Sequence, residues 1–154
     1  LEFLLGKQAS YAALGLLQFV VLLALALTVF RAPARGDVTA LVALAFLYAW
    51  ALTGLGILVA SFVGSQIQAL LITMIVTMLP AWVFSGVFTP VTSMSGPAQA
   101  IAAAFPTTYF LDACVAVMTK GLGGGALAGD ALALGAFALG FDLLALALLK
   151  EQAP

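Results

Sequence analysis

The 154-residue sequence has no histidine, one cysteine, and eleven charged side chains, five basic and six acidic. Without histidine, neither a Ser-His pair nor the usual imidazole zinc site can form. With Cys114 alone, an internal disulfide framework is excluded. Charged residues make up 7% of the chain against 65% hydrophobic, whereas a soluble domain covers its surface with about 25% charged residues. So few charges cannot build a basic face for nucleic acid, and the composition is that of a membrane protein. The opening apolar run is too long for a signal peptide and lacks a small-residue cleavage site. The chain reads as the C-terminal part of a longer polypeptide.

What remains is a succession of apolar runs. A hydrocarbon core about 30 Å thick needs roughly 20 residues of helix, and four runs qualify, at about 10–30, 38–62, 69–88 and 126–149. The turn "RAPARGD" closes the first, and "VGSQIQ" follows the second. Pro80 inside the third cannot donate to the carbonyl of Val76 and is expected to kink it. The expected fold class is an all-α membrane protein of four transmembrane helices, with short re-entrant or interfacial helices before the last span.

Those short helices are expected at about 97–105 and 107–119, split by Pro106. In the second, Thr108, Asp112, Ala116 and Thr119 share one helical side and apolar residues fill the rest, the pattern of a helix lying in the interface. One span from 97 to 120, kinked at Pro106, is the alternative. Small-residue rows at Gly56, Ala60 and Gly64, and at Gly121, Gly125 and Gly129, suggest close helix packing. Trp82, Phe84, Phe88, Phe105, Tyr109 and Phe110 read as an aromatic belt at the headgroup level.

Two carboxylates, Asp130 and Asp142, fall within the last apolar run, and an intramembrane acid is a functional-site candidate by default. They stand about 18 Å apart along one helix, too far to share a proton as a proteolytic dyad does. Asp130 is close enough to the helix start to be favoured by its dipole; Asp142 lies deeper. "LLGKQ" ends like a phosphate-binding loop, but Gln8 follows Lys7 where Ser or Thr is needed, so no ATP site is expected here. Counting Lys and Arg does not orient the chain, because Lys7 and Lys150 oppose Arg31, Arg35 and Lys120.

The least apolar segment, "FSGVFTPVTSMSGP" at 84–97, carries too many helix breakers to face lipid and is tolerated at membrane depth only inside protein or against water. Extended downstream, it holds Ser85, Gly86, Phe88, Pro90 and Met94, then Pro106, Thr108, Tyr109, Lys120 and Gly121. With "LLGK", "APARG" and "GLGILVASFVGSQIQA", this series resembles the membrane-spanning subunit of ABC-2-type transporters, nearest to the multidrug efflux branch, over its last four spans. Departures are Ser95 after Met94 where the family often has proline, Val115 where it has arginine, and Gly64 where it has a basic residue.

The resemblance implies a permease of the bacterial inner (plasma) membrane that is not itself an enzyme and holds no cofactor. ATP would be bound by a partner ABC ATP-binding subunit, and a second permease copy or homologous half would complete the pathway. It places Glu2 and Lys7 beside the coupling joint, and Ser85, Gly86, Pro90, Met94, Pro106 and Tyr109 at an outer gate. The competing expectation is an ion-coupled secondary transporter that uses Asp130 or Asp142 as proton carrier.

Overall fold

The computed structural model describes residues 2–86, 88 and 90–151, the side chains of 2–5 and 149–151 excepted. Six α-helices follow in order: α1 Glu2–Thr28, α2 Val38–Ser61, α3 Gln66–Val83, α4 Gly96–Ala103, α5 Pro106–Met118 and α6 Ala128–Glu151. Short 3-10 turns at Val91–Ser93 and Gly124–Leu127 precede α4 and α6. Among the described residues there is no strand, and α1, α2, α3 and α6 each contain a stretch long and apolar enough to cross a membrane. The chain is an all-α, multi-pass membrane protein.

The helix limits differ from the apolar runs in instructive ways. α1 begins at Glu2, ahead of the run that starts near 10, because Gly6, Lys7 and Gln8 all tolerate helix. α3 continues through Pro80 but stops at Val83 rather than 88, where Ser85 and Gly86 leave helical geometry.

α2 is the spine, packing against α1, α5 and α6 and less extensively against α3. Its start is held by a compact knot. Asp37 accepts from the amide of Thr39 at 3.0 Å, its hydroxyl at 2.6 Å and the amide of Ala40 at 3.1 Å, capping the helix. Those bonds, the Thr39 hydroxyl first, hold the Asp37 carboxyl below its ordinary value. A lowered folded-state value means that the cap stabilises fully above the ordinary carboxylate range and fades as pH falls through the lowered one.

Just before it, the amide of Gly36 donates to the Val117 carbonyl at 3.0 Å and that of Asp37 to the Leu122 carbonyl at 3.3 Å. These bonds tie the turn between α1 and α2 to the end of α5. Gly121, at φ +69°, turns the chain there and lies against Arg35. The knot therefore joins residues 35–37 to 117–122 at one end of the bundle, called here the capped end.

Farther along, the Tyr48 and Thr107 hydroxyls lie 3.2 Å apart. Contacts at Gly36–Val117 and Tyr48–Thr107 fix the direction of α5: it runs antiparallel to α2, from about 15 Å below the knot back up to it. The core confirms that placement, with Leu41 and Leu44 of α2 packed on Ala113, Ala116 and Val117 of α5 and on Leu127 and Leu134. The helix expected at 107–119 therefore packs along α2 within the bundle. Thr108 and Ala116, assigned to its polar side, are buried, while Asp112 and Thr119 are exposed. The helix stands upright inside the bundle because its small residues, Ala113 and Ala116, admit the close approach that lipid-side helices lack.

α4 and α5 meet at 89°. Because α6 leaves from the same capped end and runs parallel to α2, the 84–127 segment enters and returns at one end. That is the course of a re-entrant hairpin, bent at the α4–α5 junction.

Of the small-residue rows only Gly121, against Arg35, marks a close contact among the glycines. A β-carbon at Gly56, Gly64, Gly125 or Gly129 would meet nothing within 4 Å. Gly54, two residues from Gly56 and so on another side of α2, faces α6 instead, and a β-carbon added at Gly15 of α1 would stand 3.2 Å from the Ala49 β-carbon. Gly36 is the tightest site: an added β-carbon would stand 2.4 Å from the Leu122 carbonyl oxygen, a backbone atom with little room to yield. Gly36→Ala is expected to cost about 1–3 kcal/mol as an overpacking substitution. Thermal unfolding in detergent should register the loss, whereas Gly56→Ala should leave it unchanged.

Candidate functional site

Two polar constructions stand out in the apolar bundle. The first is the hairpin at the capped end. Ser85 is 1% exposed and its hydroxyl donates to the carbonyl of Ala81, stopping α3. Gly86 follows at φ +96°, where a β-carbon would stand 3.3 Å from Val91 Cγ2. Pro90 opens the 3-10 turn at Val91–Ser93, and its carbonyl accepts from the Ser93 hydroxyl at 2.7 Å. The Gln99 amide donates to the Met94 carbonyl at 3.0 Å, folding the turn onto α4.

The 89° bend beyond is built from "PTTY". Pro106 starts α5, where its missing N–H costs nothing. Thr108 Oγ1 donates to the Ala102 carbonyl at 2.8 Å and the Tyr109 hydroxyl to the Ala103 carbonyl at 3.1 Å. The Ala102 carbonyl also accepts from the Phe105 amide at 3.2 Å, so backbone and side chains together hold the turn out of α4. Phe110 then stacks on Tyr48 at 4.5 Å with 3° between ring planes, and Phe19 of α1 meets it edge-on at 5.5 Å. Tyr109 lies 5.9 Å from Phe137 of α6. The belt reading fits the exposed Trp82 and Phe88, which lie 5.9 Å apart. It fails for Phe110, a packed ring joining α1, α2 and α5.

The second construction lies deeper, away from the capped end. Asp142 of α6 accepts from the Gln8 side-chain amide at 2.7 Å and from the Trp50 indole N–H at 2.8 Å, one bond to each carboxylate oxygen. The Gln8 amide also reaches the Trp50 carbonyl at 3.3 Å. Gln8 is only 3% exposed. Gly54 makes the notch: a β-carbon there would stand 2.8 Å from Asp142 Oδ1. One carboxylate thus joins three helices, and both its donors are neutral. Removing that acceptor takes the partner from the half-buried Trp50 indole N–H, at about 1–3 kcal/mol, while Gln8 keeps the Trp50 carbonyl.

Beside these lie two apolar clefts. One, of about 740 Å³, opens between α1 and α3 and is lined by Tyr11, Leu70, Thr73, Met74 and Thr77. The other, of about 340 Å³, separates α1 from α2, with Gln18, Tyr48 and Thr53 among its walls. α3 itself buries none of its described side chains.

Residues 1–147 match the model of a family described as ABC-2 family transporter protein. The chain belongs to the ABC-2 transporter family. It is also 25% identical, over 120 residues, to the probable multidrug ABC transporter permease YbhS of Escherichia coli K12, and equally to that of Escherichia coli O157:H7. The match covers 78% of this chain and 32% of each relative, so this ABC-2 chain spans about a third of the length of the curated relatives it matches. No solved structure matches it.

In this ABC-2 chain, the residues singled out for an outer gate, Ser85, Gly86, Pro90, Met94, Pro106 and Tyr109, all fall in the one hairpin. Lys7 lies at the opposite end and is exposed; the side chain of Glu2 lies outside the described residues. Asp130 is in the first turn of α6 at the capped end and does not share a site with Asp142. Sequence reasoning missed Gln8, Trp50 and Gly54. A tryptophan in the middle of a span was the available signal, because its N–H needs a partner that lipid does not supply.

Gly86→Ala should cost about 1–3 kcal/mol through its positive φ, and Thr108→Val about 1 kcal/mol through a lost hydrogen bond. Both should increase protease access to residues 84–105 in membranes. Wild-type resistance in Gly86→Ala would contradict the turn geometry.

Proposed function

We propose that this chain is part of the permease subunit of an ATP-driven ABC-2 exporter, that it forms the wall and outer gate of the transmembrane pathway, and that a separate ATP-binding subunit powers it. The observation that carries the reading is the family match across residues 1–147, joined to a re-entrant hairpin at one end of the bundle. A second permease copy or homologous half would complete the pathway, in the bacterial inner membrane. The likeness to multidrug ABC transporter permeases of Escherichia coli supports drugs as cargo.

The mechanism follows from the placement of parts. The end of α1 that bears the exposed Lys7 receives the push of the ATP-binding subunit, with Glu2 beside it, and the hairpin at the far end is the gate. The cleft between α1 and α3 offers apolar walls with the Tyr11, Thr73 and Thr77 hydroxyls, a lining suited to an amphipathic cargo. α3 ends at Val83, and Gly86 and Pro90 beyond it are the backbone positions at which the outer half turns.

The competing reading, proton-coupled transport through Asp142, has in its favour an acid at membrane depth. Against it, both oxygens of that acid already accept hydrogen bonds within the bundle.

The test is transport by the complete permease reconstituted with its ATP-binding partner. Extrusion of a lipophilic dye should require ATP and stop with vanadate. Extrusion that survives without ATP but collapses with the proton gradient would contradict the reading. Lys7→Ala is expected to lower extrusion several-fold while ATP hydrolysis persists; unchanged extrusion would remove Lys7 from the coupling joint.

A further inference from the structure

The Gln8, Trp50 and Asp142 cluster has no role in gate or wall, yet it is the most elaborate polar construction within the spans. α1 and α6 each pack along α2 and touch one another little. The bond from Gln8 to Asp142 is therefore the main direct link between the helix that carries Lys7 and the helix that follows the hairpin. Gln8 is the very next residue after Lys7, turned inward and 3% exposed.

We propose that this cluster is a switch contact of the transport cycle: α1 is latched to α6 through Gln8 and Asp142 in the state seen here, and unlatches when the ATP-binding partner moves the start of α1. The inference rests on the ATP-driven reading above and adds the residues that pass motion from α1 to the gate-bearing helix.

Three features suit a contact that opens over a permanent brace. The Gln8 amide has a second acceptor in place, the Trp50 carbonyl at 3.3 Å, so it keeps a partner on α2 when Asp142 withdraws. Asp142 likewise keeps the Trp50 N–H when Gln8 withdraws. Neither group is stranded in either state, which lowers the cost of exchange in a medium that punishes lone polar groups. Both donors are neutral as well, so parting them from the carboxylate separates no ion pair, unlike a buried salt bridge. Gly54 completes the device, because any side chain there would stand against Asp142 Oδ1 and press it from its seat.

Trp50 reports the latch directly. The complete permease with its ATP-binding partner, labelled with 5-fluorotryptophan in lipid nanodiscs, is observed by fluorine NMR without nucleotide and with ATP plus vanadate. Trp50→Phe identifies the resonance. Vanadate-sensitive ATP hydrolysis by the assembled complex is measured on the same samples.

The Trp50 resonance is expected to move between the two states. In Gly54→Ala it should sit near the ATP-vanadate position before nucleotide is added. Asp142→Asn and Gln8→Leu should each lower permease-dependent hydrolysis at least fivefold, with the double variant no worse than the weaker single, as members of one contact behave. A complex that hydrolyses ATP while the Trp50 resonance stays fixed overturns the switch and leaves the exporter reading standing. An assembled complex without vanadate-sensitive hydrolysis overturns both. The two states are compared in the wild-type sequence, with Trp50→Phe serving only to assign the resonance, so poor folding of the Asp142, Gln8 or Gly54 variants cannot rescue the proposal.

Discussion

Every polar group at membrane depth in this protein has to find its partner inside the protein, and that requirement shapes the bundle more than apolar packing does. Between helices in lipid, burying another leucine gains little, because the tails outside are as apolar as the side chain. Hydrogen bonds and close backbone approach then decide which helices stay together. α2 gathers both kinds of contact: the knot at Gly36 and Asp37 at its start, and the indole of Trp50 on Asp142 halfway along. With those two attachments made, α6 must run parallel to α2. Everything between α3 and α6 must then begin and end on one side of the membrane.

The hairpin is the consequence. Its chain is too broken to face lipid, yet it enters the bundle because each break brings its own partner. Ser85 returns to Ala81, Gln99 to Met94, Thr108 to Ala102 and Tyr109 to Ala103. At most six residues separate the members of each pair, so the hairpin satisfies itself locally and then docks through Tyr48 and Phe110. A hairpin built in this way is largely self-contained, since few of its hydrogen bonds reach the rest of the bundle.

The four spans and the hairpin were legible in the sequence because they depend on local quantities: run length, proline and glycine. The breakers at Ser85, Gly86, Pro90 and Pro106 pointed to short re-entrant or interfacial helices there without fixing their course. The upright stance of α5 was not legible, because it depends on which face meets α2 rather than on composition. Gly56 and Gly54 show the same limit, for a row of small residues says that helices can approach and not which side they use. Asp142 was noticed as an oddity, but its partners Gln8 and Trp50 lie 134 and 92 residues away in the chain. No periodicity connects positions so far apart.

The re-entrant course of residues 84–127 bears most of this account, and two-sided labelling tests it most directly. In a Cys114→Ser background, single cysteines placed at Ser93, Leu122 and Gly64 would be probed with a membrane-impermeant maleimide in right-side-out and inverted vesicles. Ser93 and Leu122 should react from one common side and Gly64 from the other. Reaction of Ser93 and Leu122 from opposite sides would make the segment a fifth span and contradict the architecture.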